Sequence, residues 1–75
     1  ISLVPNDAEA YHSRGAIRRS MGDGQGTFDD FDRVVRLEPN NSRAYYNRAL
    51  ARTMLRDSQG ALDDFSRALN LDPRW

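Results

Sequence analysis

The groups best placed to do chemistry are two adjacent carboxylate pairs, Asp29-Asp30 and Asp63-Asp64. Paired acids can hold a metal or divide acid and base roles when both converge on one point. Each pair falls where the first turn of a helix is expected, and neighbouring side chains on a helix diverge by about 100°. Neither pair converges unaided. Negative charge in a first turn is instead favoured by the helix macrodipole, so both pairs read as structural. The run Met21-Gly22-Asp23-Gly24-Gln25-Gly26 is glycine-rich like a phosphate-cradling loop. It follows a helix rather than a strand, and it lacks the lysine and hydroxyl residue of a P-loop. His12 is the only histidine and there is no cysteine, so no zinc site is expected and no disulfide can form within the segment. Ser13, Ser20 and Ser42 lack a histidine–carboxylate constellation. No catalytic activity, metal or cofactor is expected from these residues.

Charge narrows the partners. Eleven basic residues balance eleven acidic ones, and every basic residue is arginine. A net charge of zero argues against a non-specific polyanion binder, so no nucleic-acid partner is expected. The planar guanidinium fork suits carboxylates and phosphates. No stretch reaches the ~20 apolar residues that span a bilayer, so no membrane insertion is expected. The chain opens on Ile1 rather than methionine, as an excerpt of a longer protein would.

The elements that position these groups come in duplicate. Asn6–Pro39 and Asn40–Pro73 align without a gap, with 14 identities in 34 positions. Leu3 and Pro5 match Leu37/Pro39 and Leu71/Pro73, so residues 1–5 read as the end of a preceding unit. Residues 74–75 read as the start of a following unit or the end of the chain. In residues 6–39, Asn6-Asp7 caps a helix of about 7–21 carrying Ala10, Tyr11, Ile17 and Met21 on one broad face. The three glycines break it. A helix of about 27–37 follows, with Phe28, Phe31, Val34 and Val35 at spacings of three and four. Glu38-Pro39 closes it. In residues 40–73, Asn40-Asn41 caps a helix of about 41–55 bearing Tyr45, Ala49, Leu50, Met54 and Leu55. After Asp57–Gly60, Leu62, Phe65, Ala68 and Leu69 line a helix of about 60–71. Strand-like alternation is absent. The expected fold is all-α: antiparallel helix–turn–helix pairs stacked as an α-solenoid. Antiparallel pairing brings Arg14 level with Asp29/Asp30 or Arg33, and predicts ion pairs Arg14–Asp30 and Arg48–Asp64.

A 34-residue helix–turn–helix period with these residues resembles the tetratricopeptide repeat family. The likeness rests on Tyr11/Tyr45 and Gly15/Ala49 in the first helices, Thr27/Ala61, Phe31/Phe65 and Val34/Ala68 in the second, and Pro39/Pro73 at the close. Small residues let helices approach and the aromatics fill the space beside them. Thr27 departs from the usual alanine, Gly24 stands where an aromatic is common, and Arg14 and Arg48 replace a common hydrophobic. The first turn is expected to be the looser of the two.

The resemblance implies a non-catalytic protein–protein interaction scaffold that binds a partner peptide or helix on the concave face formed by the first helices. Residues on that face would be Glu9, His12, Ser13, Ala16, Arg19 and Ser20, then Arg43, Tyr46, Asn47, Leu50, Thr53 and Met54. Of these, Glu9, His12, Ser13, Arg19, Arg43, Tyr46, Asn47, Leu50 and Met54 are the candidate partner-binding residues. Their donors, aromatic ring and soft apolar groups suit a partner of acidic character. One subclass clamps chaperone tails with lysine and asparagine. Asn47 matches that pattern, but His12 and Ala16 stand where the first lysine and asparagine would be. Two alternatives compete with the scaffold reading. One is homo-oligomerisation through apolar repeat ends, and the other is a regulatory domain of a larger enzyme.

Overall fold

The computed structural model describes residues 7–74, so the expected preceding-unit residues 1–5, and Trp75, lie outside the described residues. Four helices follow one another: α1 (Ala8–Ser20), α2 (Gly24–Leu37), α3 (Ser42–Met54) and α4 (Ser58–Leu71). Every described residue outside them is turn or irregular. Short turns fold α1 back on α2 and α3 back on α4, and α3 also packs on α2.

Each helix starts the same way. Asp7, Asp23, Asn41 and Asp57 are the N-caps, and each side chain accepts from the backbone N–H three residues on. The two second helices therefore begin earlier than their glycines predict, at Gly24 rather than about residue 27 and at Ser58 rather than about residue 60. Glycine costs about 1 kcal/mol in a helix interior, but the cap bonds to Gly26 and Gly60 at 2.9 Å offset that cost. Both glycines are also sterically required. A Cβ on Gly26 would collide with the Asp23 carboxylate and come within 2.7 Å of Arg18 Cδ, and Gly60 stands in the same relation to Asp57 and Arg52. The true turn is shorter: Gly22 adopts φ 79°, and Arg56 at the equivalent position adopts φ 64°.

The core gathers Phe31, Val34 and Val35 of α2, Ala44 and Tyr45 of α3, and Ala68 of α4. One expected face does not reach it. Ile17 and Met21 are exposed, although they share a helix with buried Ala10 and Gly15. Among the described residues α1 packs chiefly on α2, whereas α3 is held between α2 and α4. Leu62 and Leu69 are likewise exposed, on the outer side of α4. A Cβ on Gly24 would stand 3.1 Å from Met54 Cβ and 3.2 Å from Leu55 Cδ2. The missing side chain lets the second unit close onto the first.

Both expected ion pairs form, each as part of a larger cluster. Asp30, 1% exposed, accepts from Arg14 Nε at 3.0 Å and Nη2 at 2.8 Å, and Arg18 Nη1 lies 3.5 Å away. Asp64, 3% exposed, accepts from Arg48 Nε at 2.9 Å and Nη2 at 2.7 Å, with Arg52 Nη1 at 3.2 Å. Arg48 then crosses between the units, donating from Nη1 to Asp32 at 2.9 Å. Arg52 adds a second crossing, its guanidinium 5.3 Å from the centre of the Phe28 ring. Hydrogen bonds from Arg14 to Asp30, and from Arg48 to Asp64 and Asp32, raise both guanidinium pKa values against the opposing effect of burial. A raised folded-state pKa means the contribution is complete below the unfolded value, so these clips hold through any ordinary alkaline range.

Two outcomes are expected. Arg48→Ala leaves Asp64 buried with Arg52 alone and severs the link to Asp32. It should destabilise the fold by about 3 kcal/mol, at the low end for a broken buried pair because Arg52 remains. Half-exposed Arg14 should cost less on the same change, so equal urea midpoints for the two variants would contradict this ranking. Arg56→Gly relieves a left-handed backbone and should stabilise by about 0.5–1 kcal/mol, read as a higher melting temperature.

Candidate functional site

A groove of about 430 Å³ opens between the two first helices. His12, Ala16 and Arg19 of α1 line one side, Arg43, Tyr46 and Asn47 of α3 the other, and Phe31 of α2 the floor. The sequence dictates this grouping locally. Positions three and four apart share one helical face, and both triplets keep that spacing. The floor depends on Gly15, where a Cβ would stand 2.8 Å from Phe31 Cε2. Without that methyl, the Phe31 ring closes against α1 and meets the His12 ring edge-on, with centroids 5.3 Å apart at 89°. Tyr46 is tilted against Phe65, 5.6 Å away at 58°, which turns its ring into the groove wall.

The charge of the groove is one-sided. Arg19 and Arg43 are the ionised groups lining it, with no carboxylate among the lining residues. Elsewhere every arginine but Arg56 has a carboxylate or aromatic partner. Arg14, Arg18, Arg48 and Arg52 serve Asp30 and Asp64, Arg36 pairs with Asp32, and Arg74 with Asp72. Arg33 and Arg67 lie over Tyr11 and Tyr45. Among the described residues, no ion pair forms at Arg19 or Arg43.

Of the candidates named from sequence, His12, Arg19, Arg43, Tyr46 and Asn47 come together in this groove. Glu9 and Ser13 are exposed on α1 and do not line it. Leu50, half-buried on α3, also stands apart from it. Met54 lies against Gly24, at the contact between units. Phe31 is the groove residue that periodicity hid. Its spacing marked it as core, which it also is, and only the small Gly15 above it hinted that its ring edge could be reached. Among the described residues, no helix is long and apolar enough to cross a membrane.

Residues 42–74 match the family model described as tetratricopeptide repeat. The matched segment takes in α3, its turn and α4, and α1–α2 repeat its sequence at a distance of 34 residues. No curated protein matches the chain closely enough to count as a relative. Paired helices, the stacking of α3 on α2 and the family match agree. Residues 42–74 carry a tetratricopeptide repeat, a unit whose family generally mediates protein–protein interaction and is typically non-catalytic.

Proposed function

We propose that this chain is a non-catalytic interaction module that holds an acidic peptide or helix of a protein partner in the groove between α1 and α3. This reading takes residues 6–39 and 40–73 as two repeat units within a longer array, with 1–5 ending an earlier one. One observation carries it. Among the described residues Arg19 and Arg43 form no ion pair, and both line the same groove, which has no carboxylate among its lining residues. Every buried carboxylate among the described residues has its arginine, so an outside acid meets cations that nothing internal neutralises.

Each groove group has a separate job. The guanidinium forks accept carboxylates bidentately, which fixes orientation as well as charge. The Asn47 amide can both donate to and accept from an extended backbone. Phe31, Ala16 and Tyr46 supply an apolar floor for one side chain of the ligand. A hydrogen bond to a charged group contributes about 1.5–3 kcal/mol, which corresponds to roughly 10–100-fold in Kd. A groove of this size gives modest affinity alone, and an array adds to it by engaging several sites at once.

The test is an array of ten-residue peptides graded in Asp/Glu against Lys/Arg content. Acidic peptides bearing one aromatic or aliphatic residue should be retained over their basic counterparts. Arg43→Glu with Asn47→Ala should weaken that retention roughly 10–100-fold without loss of helicity, since both side chains lie outside the core. Retention should also fall as salt rises. Retention unchanged by the double substitution would sink the groove reading.

A further inference from the structure

The groove between α1 and α3 contains one group whose charge is not fixed. Guanidiniums stay cationic at any ordinary pH, and the carboxylates of a ligand stay anionic above about pH 5.5. Imidazole is the side chain whose charge change falls between about pH 5 and 8. His12 is the chain's only histidine, and it lines the groove together with Arg19 and Arg43. Its ring is half-buried, and the edge-on contact with Phe31, centroids 5.3 Å apart, holds the ring plane. Among the described residues neither ring nitrogen makes a hydrogen bond. No buried side-chain nitrogen among them lacks a partner, so both ring nitrogens are reachable from solvent. The groups around the ring are cationic or neutral. Arg19 comes from α1, Arg43 with the Tyr46 phenol and the Asn47 amide from α3, and the Phe31 ring from α2. Glu9, one turn before His12, is exposed and does not line the groove. Asp30, beside Phe31 on α2, is held by Arg14 and Arg18.

We propose that the groove binds its acidic ligand together with a proton, taken from solvent by His12. This rests on the reading of the groove as an acidic-peptide site. A carboxylate seated near Arg19 and Arg43 brings negative charge beside the ring and favours the imidazolium. Protonated, the ring donates from both nitrogens, whereas the neutral ring donates from one. Linkage sets the direction: whatever the ligand adds to proton binding, the proton adds to ligand binding. The gain is complete below the pH at which the imidazole of the free protein charges. It is lost as pH rises through the higher midpoint of the complex. Each unit between the two midpoints is worth tenfold in Kd. The groove therefore grips an acidic partner in mildly acidic solution and loosens as the pH rises. The device belongs to one wall only, because the position equivalent to His12 in the second unit is Tyr46. The arginine clips of the core keep their charge throughout, so affinity changes without a change of fold.

The test is calorimetric titration of the full chain with an aspartate-rich peptide bearing one phenylalanine, between about pH 5.5 and 8. Acetylated and amidated ends keep the peptide's own charge constant over that range. The Kd should tighten about tenfold toward the acidic end. Near the middle of the range the binding heat should vary with the ionisation heat of the buffer, as proton uptake requires. His12→Gln should flatten the profile and remove the buffer dependence. His12→Lys, charged throughout, should be equally flat but tighter than His12→Gln. The single imidazole resonance of the unaltered chain gives an independent reading: its titration midpoint should rise when peptide saturates the groove. Should a variant lose helicity, that resonance decides alone. Peptide bound with a flat Kd and an unmoved midpoint overturns the proton coupling while the acidic groove stands. A pH profile that survives in folded His12→Gln also overturns it. Peptide that binds at no pH overturns both this coupling and the groove reading.

Discussion

Everything in this fold is arranged around a buried aspartate gripped by two arginines one helical turn apart. Asp30 is held by Arg14 and Arg18, and Asp64 by Arg48 and Arg52. A carboxylate removed from water must be compensated, and a single fork leaves lone pairs unsatisfied. Two arginines supply enough donors that no buried side-chain polar atom among the described residues is left unpaired. The cost of burying the charge makes the arrangement specific. An arginine pair on α1 or α3 must stand at one height against an aspartate on α2 or α4, which fixes the register of each helix pair. Apolar packing alone would leave that register softer, because the buried faces of α1 and α3 are largely alanine and glycine.

The glycines follow from the same cluster. Arg18 and Arg52 reach their aspartates by passing directly over Gly26 and Gly60, and the cap carboxylates of Asp23 and Asp57 press on the same two positions. Cap, glycine and second arginine therefore form one local device that starts the helix and completes the clip. Arg48 extends this device into the stack. By bonding Asp32 as well as Asp64, it makes the first unit's α2 part of the second unit's polar core. Phe28 under Arg52, and Met54 and Leu55 over Gly24, reinforce that joint with apolar contact.

This economy of arginine is what gives the groove its character. The family fold generally serves to bind other proteins, and here the groove differs from the remaining surface in how its cations are used. Interior carboxylates consume Arg14, Arg18, Arg48 and Arg52, and tyrosine rings lie under Arg33 and Arg67. Arg19 and Arg43, which form no ion pair among the described residues, stand one on each wall. A chain of zero net charge thus presents a locally positive cleft without any excess of basic residues.

The sequence by itself determined the repeat, the helix pairs, the caps at Asp7 and Asn41 and the two primary ion pairs. All of these rest on spacings of three, four and 34 residues, and such spacings are properties of a linear chain and a helical period. The family resemblance placed six of the seven groove-lining residues on the concave face, all but Phe31. Tertiary structure decided the rest. Ile17, Met21, Leu62 and Leu69 carry apolar patterning like their buried counterparts, yet end exposed, because burial depends on which neighbour is present. Gly24 and Gly26 looked like a break and proved to be a helix start, since only packing reveals a required close approach. Phe31 serves both core and groove for the same reason. Periodicity says which side of a helix a ring is on, and only the small residue opposite decides how far it is covered.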